Sequence, residues 1–304
     1  MQSTNSIMMV RPAAFGFDPE TAANNSFQNN PGETAADDLQ LKAQYEFDQV
    51  AASMRANGVN LYVVKDVADP VRPDAIFPNN WISTHEDGTV ILYPMMAPNR
   101  RLERRQDVLD DLEKYHEIRR VVDLSRHETS GRFLEGTGSM ILDRANGVIY
   151  ACRSPRTNEA VLKEVAKTLD YRCVVFDSLD GNGKPIYHTN VMLSIGTNYV
   201  VIADHTIPDA AERERVMASL NGGGRRIVKL RPEQLGEFAG NVLEVQGRER
   251  FVAMSTRAYK SLSDSQRDLL EVWAKCVHFP IPTIENVGGG SIRCMLAEIF
   301  LPRK

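Results

Sequence analysis

Three side chains of the kinds that carry covalent chemistry each stand just before an apolar segment. They are Glu135 in Phe133-Leu134-Glu135-Gly136, His188 in Tyr187-His188-Thr189-Asn190, and Cys294 in Gly288-Gly289-Gly290-Ser291-Ile292-Arg293-Cys294-Met295. A thiolate is a competent nucleophile, an imidazole can move the proton, and a carboxylate can orient and charge-balance that imidazole. The glycines ahead of Cys294 carry no Cβ, so the backbone there can turn sharply and come close to a ligand. Arg293 is expected to place a fixed positive charge beside the thiol, favouring the thiolate. An isolated cysteine after a glycine turn reads equally as a buried, inert one. The order Glu, His, Cys on a repeating scaffold is what sets Cys294 apart. Cys152, Cys173 and Cys276 lie in apolar strand or helix contexts and read as core. His116 and His127 lie in polar surroundings and read as solvated.

The elements that must position these groups recur. Asn79 to His85, the turn Glu86-Asp87-Gly88 and Thr89 to Tyr93 read as strand, turn, strand, with a helix from about Asn99 to Tyr115. The pattern returns at Gly138 to Ala151 with a helix from about Thr157 to Leu169, and at Asn190 to Ile202 with a helix from about Asp209 to Leu220. It returns again at Asn241 to Met254, with a helix from about Ser263 to Lys275. Further strands are expected at Ile118 to Val122, Arg172 to Phe176 and Arg225 to Lys229. A fifth copy is split: Ser291 to Phe300 gives one strand, Ile7 to Arg11 its partner, and Asp38 to Asn57 and Asn60 to Val64 the helix and last strand. Hairpins open at Asn80, Gly138, Asn190, Asn241 and Ser291, spaced about 50 to 58 residues apart. Such self-similarity is the mark of a repeat architecture. Five units, the last closed by both ends of the chain, argue a ring and a single domain over 1–304. In a ring the hairpin starts meet at one end of the central axis, which would bring Asn80, Glu135, His188 and Cys294 into one pocket.

Bulk properties narrow the function classes. The 304 residues have a net charge of −4, 42% hydrophobic and 25% charged content, ordinary for a folded globular protein. No nucleic-acid or anionic-membrane partner is expected from that charge. No apolar run approaches the roughly 20 residues of a membrane helix, and no signal peptide is visible at Met1 to Arg11. Four cysteines without C-x-x-C spacing argue against a disulfide framework or a zinc site, and fit a reducing cytoplasm. The asparagine-rich Gly16 to Pro31 reads as a loop.

With these residues in view, the chain resembles the guanidino-group modifying superfamily, the five-bladed α/β propellers called penteins. Leu134-Glu135-Gly136 is similar to the family's catalytic Glu-Gly step, His188 to its catalytic histidine, and Gly288 to Met295 to its nucleophile loop. Phe77-Pro78-Asn79-Asn80-Trp81 and Tyr93 to Arg101 resemble the subgroup of arginine deiminase-related or citrulline-utilisation hydrolases. The resemblance implies an α/β propeller with pseudo-five-fold symmetry. It also implies a cysteine-dependent hydrolase, with no metal or organic cofactor, acting on a C–N bond of a guanidino or ureido amino acid. Arg101 and Arg156 resemble arginines that hold the substrate carboxylate, and Asn80, Asn190 and Arg293 complete the expected substrate-binding set. The sequence departs from many members at Gly138, Asn190 and Asn79-Asn80, where acids that pair with a guanidinium often stand. A carboxamide offers donors and acceptors but no charge, so the pocket is expected to suit a neutral ureido group or a weakly basic amidine. Two other readings stay open: amidino transfer to an amine, which shares the covalent half-reaction, and a non-catalytic pentein acting as a binding module. Substrate identity and oligomeric state are not legible.

Overall fold

The computed structural model of the protein describes residues 1–32 and 34–304. Among the described residues, fifteen strands form five three-stranded sheets. In chain order they are β1 (Ser6–Arg11), β2 (Asn60–Lys65), β3 (Ile82–Thr84), β4 (Thr89–Leu92), β5 (Arg120–Asp123), β6 (Ile141–Asp143), β7 (Val148–Cys152) and β8 (Arg172–Phe176). The remainder are β9 (Leu193–Ile195), β10 (Tyr199–Ile202), β11 (Arg226–Lys229), β12 (Leu243–Gln246), β13 (Arg250–Ser255), β14 (Lys275–Phe279) and β15 (Ala297–Glu298). The sheets are β3-β4-β5, β6-β7-β8, β9-β10-β11, β12-β13-β14 and β15-β1-β2. In every one the first strand pairs antiparallel with the middle strand and the third pairs parallel with it. The chain is therefore a five-bladed α/β propeller. Its fifth blade joins the two ends, with Ile7 opposite Glu298 and Met8 opposite Ala297.

Burial explains which strand goes where. The short first strands β3, β6 and β9 are buried throughout, whereas the third strands β5 and β11 expose half or more of their residues. First strands of neighbouring blades touch one another (β6 with β9, β9 with β12, β15 with β3), so they line the axis. Helices such as Ala36–Ala56 and Glu159–Leu169 lay an apolar face on the outer strands.

The structure corrects several element boundaries. The helix expected from Asn99 to Tyr115 divides into a 3₁₀ turn, Asn99–Glu103, and a helix, Gln106–Glu113. The helix expected to reach Lys275 stops at Glu271, because Lys275–Phe279 is the third strand of its blade, paired with β13. The strand expected over Ser291 to Phe300 is a helical turn, Ile292–Met295, followed by the two-residue β15. That turn packs against the 3₁₀ turn Pro78–Asn80 at the axis, which takes it out of the β1 ladder. Among the described residues, no helix is long and apolar enough to cross a membrane.

Candidate active site

Each first strand is preceded by a tight turn, and these turns meet at one end of the axis. Pro78–Asn80, Gly136–Ser139, Thr189–Val191 and Ile292–Met295 are short helical turns, and three pairs of them pack directly together. The fourth blade presents Asn241, whose backbone N–H donates to the Phe238 carbonyl. Every blade thus contributes a polar side chain from the same place: Asn80, Glu135, His188 with Asn190, Asn241, and Cys294.

Cys294 is 3% exposed. Its Sγ accepts from Asn241 Nδ2 at 3.3 Å and from Asn190 Nδ2 at 3.4 Å. Two carboxamide N–H groups thus fix the position of the sulfur at the axis. Gly289 adopts φ +63°, and a Cβ there would lie 2.5 Å from Gln28 Cγ. A residue larger than glycine would therefore push away the segment that packs on the nucleophile loop.

Glu135 and His188 form the adjoining pair, with His188 Nε2 and Glu135 Oε2 2.8 Å apart. Burial raises the Glu135 carboxyl, but Arg156, then the His188 hydrogen bond and charge, then Arg100 outweigh it and hold the group well below the usual carboxylate range. Glu135 is thus ionised. Oε1 also accepts from the Met96 N–H at 3.0 Å and Oε2 from Arg156 Nη1 at 3.2 Å. Burial pushes the His188 imidazole down to about 4, against the pull of Glu135. A neutral imidazole facing a carboxylate through Nε2 keeps its proton there and leaves Nδ1 as the base. Nδ1 faces Gly138, where a Cβ would stand 2.8 Å from it and 2.6 Å from Asn80 Nδ2. Any side chain at 138 would occupy the space in front of the base.

The candidate substrate-binding residues separate into groups. Asn190 lies against the sulfur. Arg156 is buried, bonded to Glu135, to Asn24 Oδ1 at 2.7 Å and to the Thr21 carbonyl at 3.0 Å. Asn80 is turned to Arg100, which donates to its Oδ1 at 2.8 Å. Arg101 faces outward: it donates to the carbonyls of Met95 and Met96 and pairs with Glu128 at 3.4 Å. Arg293, expected to charge the thiol, instead donates to the Leu296 carbonyl and pairs with Glu298 at 3.1 Å, so its charge is met within its own blade.

Sequence reasoning missed Arg100, which is buried against Glu103 and stands 3.9 Å from both Asp74 and Glu135. It also missed Asn241; that residue's place at a hairpin start was the available signal. The segment 18–29 packs over the site through Asn25 Nδ2 to the Gly289 carbonyl, the Asn29 N–H to the Asn286 carbonyl, and Phe27 against Tyr187. Asn79 Nδ2 and Asn190 Oδ1 are buried without a hydrogen-bond partner. Among the described residues, no group of three or more His, Cys, Asp or Glu could hold a metal ion.

Comparisons with known proteins bear on the family and the fold. The family described as N,N dimethylarginine dimethylhydrolase, eukaryotic, matches residues 11–301. No curated protein sequence matches the chain. Among solved structures, the N-terminal domain of ArgZ, an arginine dihydrolase from the ornithine–ammonia cycle in cyanobacteria, is similar over 98% of both chains at 18% identity and a TM-score of 0.74. That structure is a cysteine-to-serine variant bound to substrate. The chain spans 41% of full-length ArgZ. A DDAH from Pseudomonas aeruginosa complexed with citrulline is similar over 96% of this chain and 98% of that one, at 12% identity and a TM-score of 0.62. At these identities the likeness to solved structures concerns the fold.

Proposed function

The chain belongs to the N,N dimethylarginine dimethylhydrolase family, matched from residue 11 to 301, and from that premise we propose that it hydrolyses a C–N bond of a guanidino or ureido amino acid through a covalent adduct on Cys294. The observation that carries this reading is the sulfur held by Asn190 and Asn241 on the axis beside the His188–Glu135 pair.

The imidazole protonation state dictates the order of proton movements. His188 is neutral near pH 7, so it has no spare proton to give at the outset. The Cys294 thiol supplies it. Sulfur attacks the central carbon as its proton passes to His188 Nδ1, and an S–C bond forms. The C–N bond to the leaving amine then breaks, and the amine takes that proton. His188, neutral again, removes a proton from water, whose oxygen attacks the same carbon. The S–C bond breaks and the proton returns to sulfur. Glu135 stays ionised throughout and stabilises the transient imidazolium.

The substrate we favour carries a neutral reacting group. The unpaired atoms of Asn190 and Asn79 are a carboxamide oxygen and a carboxamide N–H. A ureido group, with N–H donors and a C=O acceptor, complements both. Glu135, the one anion of the pair, is already engaged by Arg156 and His188. Arg156 is the candidate for the substrate carboxylate: two of its three hydrogen bonds go to Asn24 and Thr21, in the segment that covers the site. Displacing that segment would free them for a bidentate grip.

The test is purified protein with citrulline, arginine, methylated arginines and N-acylated arginines, scoring ammonia and amine release. Quenched reactions would be mapped by mass spectrometry. Turnover with an adduct on Cys294 is expected. Turnover in a Cys294→Ser protein, or an adduct on Cys152, Cys173 or Cys276 instead, would overturn the mechanism.

A further inference from the structure

Away from the axis, a cleft of about 550 Å³ lies over the seam where the ring closes. Its volume falls within the range of roughly 300–1,000 Å³ of small-ligand sites. The long helix supplies Arg55, β2 supplies Tyr62, the turn after Gln106–Glu113 supplies Tyr115 and His116, and the end of the chain supplies Arg303 and Lys304. The last two run antiparallel to that turn: His116 bridges Arg303, and the Lys304 N–H donates to the Tyr115 carbonyl at 3.2 Å. The cleft therefore bridges two blades.

Its chemistry is one-sided. Three cationic side chains line it and no carboxylate side chain does, the terminal carboxylate of Lys304 being the one anion beside them. This is against the trend of a chain with net charge −4. Among the described residues, Arg55, Arg303 and Lys304 enter no ion pair. Asp111, on the neighbouring helix, is occupied by Lys114 at 2.5 Å. His116 Nδ1 is buried without a hydrogen-bond partner. Tyr115 is 64% exposed, an aromatic surface that the fold itself does not use. The other large cleft, about 670 Å³, is built differently: Arg257 there is paired with Glu237 at 2.5 Å, and Glu285 lies beside them. Its charges are internally balanced.

We propose that the seam cleft is a second ligand site, for a phosphorylated small molecule with a planar aromatic body, of the mononucleotide kind. Arg55, Arg303 and Lys304 would hold the phosphate, for which guanidinium forks are suited. The ring would lie on Tyr115. Because the ligand would tie the end of the chain to the first blade, binding should raise Tm by linkage.

The experiment is calorimetric titration of the full chain with AMP, UMP, adenosine and inorganic phosphate, together with thermal melts. Saturable binding of at least one nucleotide with a Kd below roughly 1 mM is expected, with phosphate alone and adenosine each at least about tenfold weaker. The double variant Arg55→Ala/Arg303→Ala should lose about tenfold or more in nucleotide affinity while hydrolysing the axial substrate at the wild-type rate. Tyr115→Ala should weaken nucleotide but not inorganic phosphate, which keeps the test decisive if the double variant folds poorly. Absence of saturable binding at 10-fold above that Kd, binding unchanged by the double substitution, or equal affinity for phosphate and nucleotide would each overturn the proposal.

Discussion

The two sides of the axial site are made of opposite materials. On one side Glu135, His188, Arg156 and Arg100 form a buried network in which the carboxylate is met by two guanidinium groups and an imidazole. On the other side the sulfur of Cys294 is met by carboxamides alone. An ion buried without partners costs several kcal/mol or changes its protonation state. The fold therefore surrounds Glu135 with cations, and that leaves little of its charge for a ligand. The amide side costs less to bury and keeps an unpaired oxygen at Asn190. Under the proposed mechanism this difference is a division of labour: the ionic side would fix the base, and the neutral side would receive the reacting group.

The largest effect should come from the sulfur. Cys294→Ser should lower kcat by roughly 10³-fold or more, since an alcohol held by the same amides is a far weaker nucleophile. Cys152 is the control: it is also buried and accepts from Thr189 Oγ1 at 3.3 Å, but burial pushes its thiol up to about 11. Cys152→Ser should leave kcat within about threefold and shift stability by roughly 1–2 kcal/mol. Similar losses from both substitutions, measured with denaturant midpoints alongside kinetics, would erase the distinction between the two sulfurs.

Next in size is Glu135→Gln, which keeps the shape and removes the charge. Breaking a buried pair from one side leaves an uncompensated cation, here Arg156, since Arg100 keeps Glu103, and should cost about 3–5 kcal/mol of stability. The imidazole loses its orienting anion as well, for a further 10²–10⁴-fold in rate. Urea unfolding and kcat measured on one preparation separate these effects. A variant as stable as the wild type would mean that the ionic side is not the structural half.

A smaller effect follows from pH. His188 sits at about 4 in the fold, below the value of about 6.5 expected for the unfolded chain. Between those limits the unfolded chain binds a proton that the folded one refuses. Stability from this group is thus complete above about pH 6.5, falls as the pH drops toward 4, and is constant below that. Glu135, held below the usual carboxylate range, adds its own loss below about pH 4.5. Unfolding measured between pH 7.5 and 4.5 should slope downward for the wild type and less steeply for His188→Asn. Parallel slopes would place the acid sensitivity elsewhere.

How much of this was legible depended on the kind of signal. The ring could be read because each hairpin announces itself with turn chemistry such as Asp87-Gly88 or Gly196-Thr197-Asn198, and because the pattern repeats. Glu135, His188 and Cys294 could be placed together because hairpin starts must converge in a ring. The strand Lys275–Phe279 escaped notice because Val272 and Trp273 extend an apolar run past the helix end, although they are 69% and 41% exposed. The arginines were the least legible. Arg100 and Arg101 are chemically identical neighbours, and a 3₁₀ turn advances about 120° per residue, so one points to the axis and the other to Glu128. Arg293 precedes the nucleophile in sequence, but a helical turn sends its side chain to Glu298. Adjacency along the chain carries no direction in space until the local helix is known.

The finest test of the comparison moves one negative charge between two asparagines. Asn80 Oδ1 already accepts from Arg100 Nη1 at 2.8 Å, and Asn80 Nδ2 donates to Asn79 Oδ1 at 2.9 Å. In Asn80→Asp the new charge would be absorbed by Arg100, so the ratio of kcat/KM for arginine to that for citrulline should move by less than about threefold. Asn190 has no such cation among its hydrogen-bond partners; its Nδ2 is spent on Cys294 and its Oδ1 is unpaired. In Asn190→Asp an anion would stand beside the sulfur. That opposes the thiolate and lowers kcat/KM for citrulline, yet it supplies a counter-ion to a guanidinium. The arginine-to-citrulline ratio should rise by roughly tenfold, the equivalent of about 1.4 kcal/mol of differential binding. If Asn80→Asp shifts the ratio more than Asn190→Asp, the reacting group lies against Arg100, and the neutral and ionic sides exchange roles.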